Sequence, residues 1–254
     1  MRPAPIEVRD EDGVRWIRLR RPEKANALDA AMMQAVAGAV DGAHAGATEL
    51  VALCGEGDRG FCAGADIAEF AQGVERLRAQ EHALVSMIDA LSRTPIPVCA
   101  LVHGRALGAG GILLTLADLA IAADDLSFGF PEIRFGMYPV IVHASLRYRL
   151  TAATAAQLCL SGRLLGAHET VSLGLVTQVV PRQGFDAHCR KWLAFYRERA
   201  AALAIAKRAW ATEGRGELLR ARVRELAPLM IENFGQPGVR DRIAAALNRN
   251  DGAS

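Results

Sequence analysis

The chain has 254 residues, 51% hydrophobic and 23% charged, enough to bury a sizeable core in one large domain or two small ones. Its 30 basic and 28 acidic side chains nearly balance and form no block of like charge, so there is no electrostatic ground for expecting nucleic acid or a membrane surface as partner. The stretch Met1–Asp10 lacks an apolar signal core and no run reaches about 18 uninterrupted apolar residues, so neither secretion nor a membrane span is expected.

In chain order, the first clear element begins at Asp29, an N-cap residue followed by Met32, Val36 and Val40 at a spacing of four, which predicts a helix. Residues 49–54 form a short apolar run bounded by turn residues and are predicted as a strand buried on both faces. Runs at 96–103, 118–123 and 176–180 have the same character. Between the first two, Val74, Leu77, Leu84, Val85, Ile88 and Leu91 outline a second helix, and Ile112–Leu116 reads as the start of another. Strand and helix alternate, so an α/β fold with crossover connections is expected. From about Gly184 the strand signals stop, and 185–211 and 217–234 read as helices rich in Ala, Leu and Arg. Cysteines at 54, 62, 99, 159 and 189 form no Cys-x-x-Cys pair, and three of them sit in apolar runs, so a reducing cytoplasm is the expected setting.

Two glycine-rich stretches carry the chemistry. Gly60-Phe61-Cys62-Ala63-Gly64-Ala65-Asp66 and Gly104-Arg105-Ala106-Leu107-Gly108-Ala109-Gly110-Gly111 bring small residues to places where a ligand can approach the main chain. Two backbone N–H groups aimed at one oxygen would stabilise negative charge developing on a thioester carbonyl. No His, Cys and acid spacing suggests a metal, no Rossmann or Walker glycine loop is present, and no Ser-His-Asp arrangement stands out.

The order of further landmarks resembles the crotonase superfamily, the enoyl-CoA hydratases and isomerases, over nearly the whole chain. Arg21-Pro22-Glu23-Lys24-Ala25-Asn26-Ala27-Leu28 is similar to the family's opening motif, and the two glycine stretches follow it. Phe128-Gly129-Phe130-Pro131-Glu132 with Gly136 and Pro139 comes next, then Leu160-Ser161-Gly162-Arg163 and Gly174-Leu175-Val176. Each motif is weak alone, but five in the right order are strong evidence. The resemblance implies a spiral of repeated β-β-α units over residues 1–183 and a helical region over 184–254. In the family that region builds a homotrimer or a hexamer of two stacked trimers, and its last helices help close the CoA site of an adjacent subunit. An acyl-CoA thioester is the implied partner, with no separate cofactor because coenzyme A is part of the substrate.

Carried over residue by residue, the resemblance places the oxyanion donors at the amides of Ala65 and Ala109 and the acid–base group at Glu132. Apolar Phe128, Phe130, Ile133 and Phe135 flank Glu132, and desolvation there would raise its pKa. CoA would lie along the main chain at Lys24, Ala25, Ala27, Ala63, Gly64, Asp66 and Ile67, with Lys24 or Arg21 available to a phosphate. Asp66 is better suited to capping the following helix. Gly108, Ile112, Pro139 and Val140 complete the expected pocket. Two of these depart from the family pattern: Ile112 stands where two-carboxylate hydratases carry their other glutamate, and Val140 replaces a glycine. His143 could serve as an auxiliary acid, although a packed histidine is the simpler reading, and His103 reads as a structural turn residue.

Three functions remain compatible. An enoyl-CoA hydratase of fatty acid metabolism with one acid–base glutamate is the first. A double-bond isomerase, for which one carboxylate suffices, is the second. A non-catalytic acyl-CoA binder is the third.

Overall fold

The computed structural model describes residues 4–43, 48–70 and 72–251, so the first three residues of the amino-terminal stretch discussed above lie outside it. Nine strands and eleven helices follow in chain order among the described residues: β1 (Ile6–Glu11), β2 (Val14–Leu19), α1 (Ala30–Gly42), β3 (Leu50–Gly55), α2 (Ile67–Phe70), α3 (Val74–Arg93), β4 (Val98–Val102), β5 (Arg105–Leu107), α4 (Ala109–Leu116), β6 (Leu119–Ala123), β7 (Ser127–Gly129), α5 (Val140–Leu146), α6 (Ala152–Ser161), β8 (Leu164–Gly166), α7 (Ala167–Ser172), β9 (Gln178–Val180), α8 (Phe185–Arg197), α9 (Ala200–Ala211), α10 (Arg215–Phe234) and α11 (Val239–Asp251).

Six strands form the main sheet in the order β1-β2-β3-β4-β6-β9, and β5-β7-β8 form a smaller one. From β2 onward the main sheet is parallel. Two successive turns of the chain, β4-β5-α4 and β6-β7-α5, each place one strand in the large sheet, the next in the small sheet, and then a helix. This is the expected α/β spiral of β-β-α units with a helical carboxy-terminal region.

The parallel strands are uniformly apolar because both faces are covered. Val51, Leu53, Val98, Ala100 and Val102 join the principal core with α1, α3 and α4. Leu50, Ala52, Cys99 and Leu101 point the other way, onto Phe185, Cys189, Trp192 and Leu193 of α8. Asp29 caps α1 by accepting from the Met32 amide at 2.8 Å.

Several elements differ from expectation. The amino-terminal hairpin β1-β2 was not predicted, since four of its first six residues are exposed and polarity hides the strand period. Its turn is Asp12-Gly13, both at positive φ (51° and 77°), the conformation a two-residue hairpin turn requires. The run 96–103 holds β4 alone, and Arg105–Leu107 turns into the small sheet as β5. The stretch 185–211 is two helices, broken at Glu198-Arg199, so that α8 lies along the sheet while α9 meets it through Leu203 and the Lys207–Asp118 ion pair.

The last helices pack on their own chain. The α10 helix packs on α3 and α5, where Asp89 of α3 receives Arg224 at 3.1 Å and Arg220 at 3.6 Å. Phe234, Val239 and Ile243 close over Leu77 and Met137 in a separate apolar cluster. No described helix is long and apolar enough to cross a membrane.

Candidate active site

The loop Arg21–Leu28 is a frame for the first glycine stretch. A short 3-10 helix, Pro22–Lys24, opens it, and Ala25 and Asn26 adopt left-handed backbone at φ 48° and 56°. Asn26 is fully buried. Its Oδ1 accepts from the Arg21 amide at 2.9 Å and its Nδ2 donates to the carbonyls of Glu56 and Gly60, both at 2.9 Å. The Ala63 amide donates to Ala25 O at 2.9 Å, so the loop backs the glycine stretch directly.

Arg21 is committed inside this frame. Its guanidinium meets Asp66 Oδ2 at 2.7 Å, Asp29 at 3.3 Å and Ala27 O at 3.0 Å, which corrects the expectation that it could pair with a phosphate. Asp66 is equally occupied, because its Oδ1 accepts from the Ala68 amide at 3.0 Å and caps α2. Its carboxylate is engaged within the frame, as the capping reading expects. Lys24 is exposed and makes no ion pair among the described residues. Lys24, Ala25 and Ala27 stand behind the glycine stretch, outside the cleft lining.

The two glycine stretches run side by side. Cys62 and Ala106 pair in parallel register, with Cys62 N donating to Arg105 O at 2.8 Å and Leu107 N to Cys62 O at 3.0 Å. Two residues on, a Cβ placed on Gly108 would lie 3.6 Å from Gly64 Cα. Ala65 and Ala109, each the next residue along, line the same cleft. Ala109 is the first residue of α4, whose leading N–H groups have no intrahelical acceptor. Among the described residues neither the Ala65 nor the Ala109 amide donates to a protein acceptor.

Glu132 sits in a 3-10 turn, Pro131–Phe135, closed by Gly136 in the left-handed conformation. From α11, Arg242 donates to Phe135 O at 2.7 Å and lies against Gly136, so the carboxy-terminal helix holds this turn in place. The carboxyl group reaches across to the glycine stretch: a Cβ on Gly108 would come 2.8 Å from Glu132 Oε1. Gly108 also has φ 49° and ψ −118°, a backbone that a side chain disfavours. Solvent still touches part of the residue, yet Oε2 is buried without a hydrogen-bond partner among the described residues. Desolvation pushes its pKa up from 4.5 to about 7, offset in part by its own backbone N–H.

These groups share a cleft of about 140 Å³. Of the expected residues, Ala63, Gly64, Ala65, Ile67, Gly108, Ala109, Ile112, Glu132, Pro139 and Val140 line it. Ile112 is 1% exposed and presents only hydrocarbon to the cleft. His143 does not line it. Its Nδ1 instead hydrogen-bonds the Tyr138 hydroxyl, and it faces a neighbouring cavity between α5 and α10. His103 bonds Gly57 O at 2.8 Å, far from catalytic duty.

Sequence reading missed Gln80 and Asn233. Gln80 is a buried amide on α3 that lines the cleft. Its signal was a polar side chain between Leu77 and Leu84, on the apolar stripe of an amphipathic helix. Asn233 exchanges hydrogen bonds with the Tyr138 main chain, its Oδ1 accepting at 3.2 Å and its Nδ2 donating at 2.6 Å, which ties α10 to the cleft wall.

Known proteins bear on this arrangement. The family model for enoyl-CoA hydratase/isomerase matches residues 9–236. A probable enoyl-CoA hydratase from Rhodobacter capsulatus is 33% identical over 202 residues, 78% of each chain. A crotonyl-CoA hydratase from Syntrophomonas wolfei is 33% identical over 182 residues, covering 69% of this chain and 68% of that one. Among solved structures, an enoyl-CoA hydratase from Mycobacterium avium subsp. paratuberculosis superposes with a TM-score of 0.84 at 27% identity, over 97% of this chain and 96% of that one.

Proposed function

The chain belongs to the enoyl-CoA hydratase/isomerase family of the crotonase superfamily, and from that membership and the cleft geometry we propose that it is an enoyl-CoA hydratase with a single acid–base glutamate. The observation that carries the reading is Glu132 Oε2, buried and unpaired in an apolar cleft beside two unoccupied amides. A pKa near 7 lets one carboxyl group both take and return a proton near neutrality.

In this reading the thioester oxygen sits between the Ala65 and Ala109 amides. Such a donor is worth about 2.7–4 kcal/mol when charge develops on the oxygen. CoA lies along the main chain at Lys24, Ala25, Ala27, Ala63, Gly64 and Ile67, and exposed Lys24 is the basic group left for a phosphate. Ile112, Pro139 and Val140 bound the acyl chain. The helices of 184–254 leave Phe195, Ile205, Trp210 and Leu218 at 45–62% exposure, which supports assembly into a homotrimer or two stacked trimers. All five cysteines are free thiols, consistent with a cytoplasmic enzyme of fatty acid metabolism.

Ile112 favours a second reading, a double-bond isomerase, because migration needs one carboxylate and no water. Incubating the protein with an α,β-enoyl-CoA and a β,γ-enoyl-CoA and following the products by mass separates the two. Gain of one water on the α,β substrate supports hydration, and an isobaric shift of the β,γ substrate without hydration replaces it with isomerisation. A lasting complex with neither change would make the protein an acyl-CoA binder.

A further inference from the structure

Hydration needs a water molecule held at a fixed place, and the position expected to help hold it, Ile112, carries no polar atom. The cleft nevertheless contains a second polar group. Gln80 is 1% exposed, and its Nε2 donates to Leu28 O at 3.2 Å and to Asp66 O at 3.4 Å. Those two carbonyls fix the amide's orientation, since the flipped form would set oxygen against oxygen. Among the described residues Gln80 Oε1 is left buried with no partner.

Glu132 Oε2 is in the same state, and both residues line the same cleft. A buried acceptor left unsatisfied costs about 1–3 kcal/mol, and two in one apolar cleft call for a ligand that supplies two donors. Water is the smallest molecule that does so. We infer that Gln80 is a positioning residue for the hydrating water, accepting one of its hydrogens while Glu132 accepts the other, in place of the carboxylate absent at 112.

This inference rests on the hydratase reading, and its chemistry balances. The water oxygen bonds to the β-carbon as the O–H bond facing Glu132 breaks and that proton passes to Oε2. The electron pair of the double bond moves onto the thioester oxygen as an enolate at the Ala65 and Ala109 amides. Glu132 then returns the proton to the α-carbon as the carbonyl re-forms. The hydrogen donated to Gln80 stays on oxygen and becomes the hydroxyl hydrogen of the product. A neutral amide oxygen cannot take that proton, so Gln80 orients without titrating.

Two reactions in one protein isolate this role. Hydration of trans-2-butenoyl-CoA needs the water, whereas exchange of the α-hydrogens of butyryl-CoA for deuterium in D₂O needs only Glu132 and the two amides. Gln80→Leu removes the anchoring donors together with the acceptor, and is expected to lower hydration about 100-fold more than it lowers exchange, the scale of a lost orienting contact. Equal losses in both reactions, the sign of a purely structural side chain, would overturn the inference. So would undiminished hydration by Gln80→Leu. A wild-type protein that exchanges α-hydrogens but adds no water would remove the hydratase reading itself, and the Gln80 role with it.

Discussion

Replacing Glu132 by Gln is expected to stabilise the protein while removing its activity, and to do so only above a definite pH. The folded-state pKa of Glu132 is about 7 against 4.5 for the ordinary side chain, with desolvation as the chief cause. Below about pH 4.5 the carboxyl is protonated in both the folded and unfolded chain and costs nothing. As the pH climbs from 4.5 to 7 the unfolded chain releases its proton while the folded one retains it, so stability falls by about 1.4 kcal/mol per pH unit. Above 7 both are ionised and the penalty levels off at no more than about 3–4 kcal/mol. Glutamine never ionises and escapes this penalty. Urea unfolding of wild type and Glu132→Gln at pH 4.5, 6 and 8 measures the difference. It should be near zero at the lowest pH and reach about 2–3 kcal/mol in favour of the variant at pH 8. A difference that stays constant with pH, or a variant less stable at pH 8, would show that Glu132 is not desolvated, and the acid–base assignment would lose its physical basis.

Other outcomes follow from the same geometry. The kcat/KM for hydration should rise with pH and reach a plateau above about 7, because the carboxylate must be ionised to accept the water proton; a flat profile from pH 5 to 9 would contradict this. Gly108→Ala forces a Cβ to 2.8 Å from Glu132 Oε1 at a strained φ of 49°, displacing the carboxylate or the Ala109 amide. Steady-state kinetics should show about a 100-fold loss of kcat/KM in a protein that still folds. Lys207→Met strands Asp118, now 2.5 Å from the ammonium in a nearly buried pair. Thermal or urea unfolding should register about 3–5 kcal/mol of lost stability with little change in the kinetics of the surviving folded fraction.

Much of the fold was legible because its causes are local. The fully buried strands β3, β4 and β6 announce themselves as continuous apolar runs, and Asp29 caps α1 where an N-cap residue precedes a four-residue period. The β1-β2 hairpin was missed although Asp12-Gly13 marks its turn, because half-buried Glu7 and exposed Arg9, Asp10 and Glu11 hide the strand period. Strands of three residues such as β5, β7 and β8 carry too few side chains to show any period, and only their neighbours make them strands. Arg21 and Asp66 appeared available to a ligand while 45 positions apart in sequence; folding turned them on each other.

Residue types and motif order alone determined the family, the two glycine stretches and the identity of the acid–base candidate, since each depends on which side chains stand at short, fixed spacings. Tertiary structure decided what those groups are worth. Burial of one carboxyl oxygen sets the Glu132 pKa, the pairing of Cys62 with Ala106 brings the two glycine stretches onto one cleft, and α3 delivers Gln80 to the cleft from outside every motif. Desolvation and register arise from residues far apart in the chain, and no local pattern encodes them.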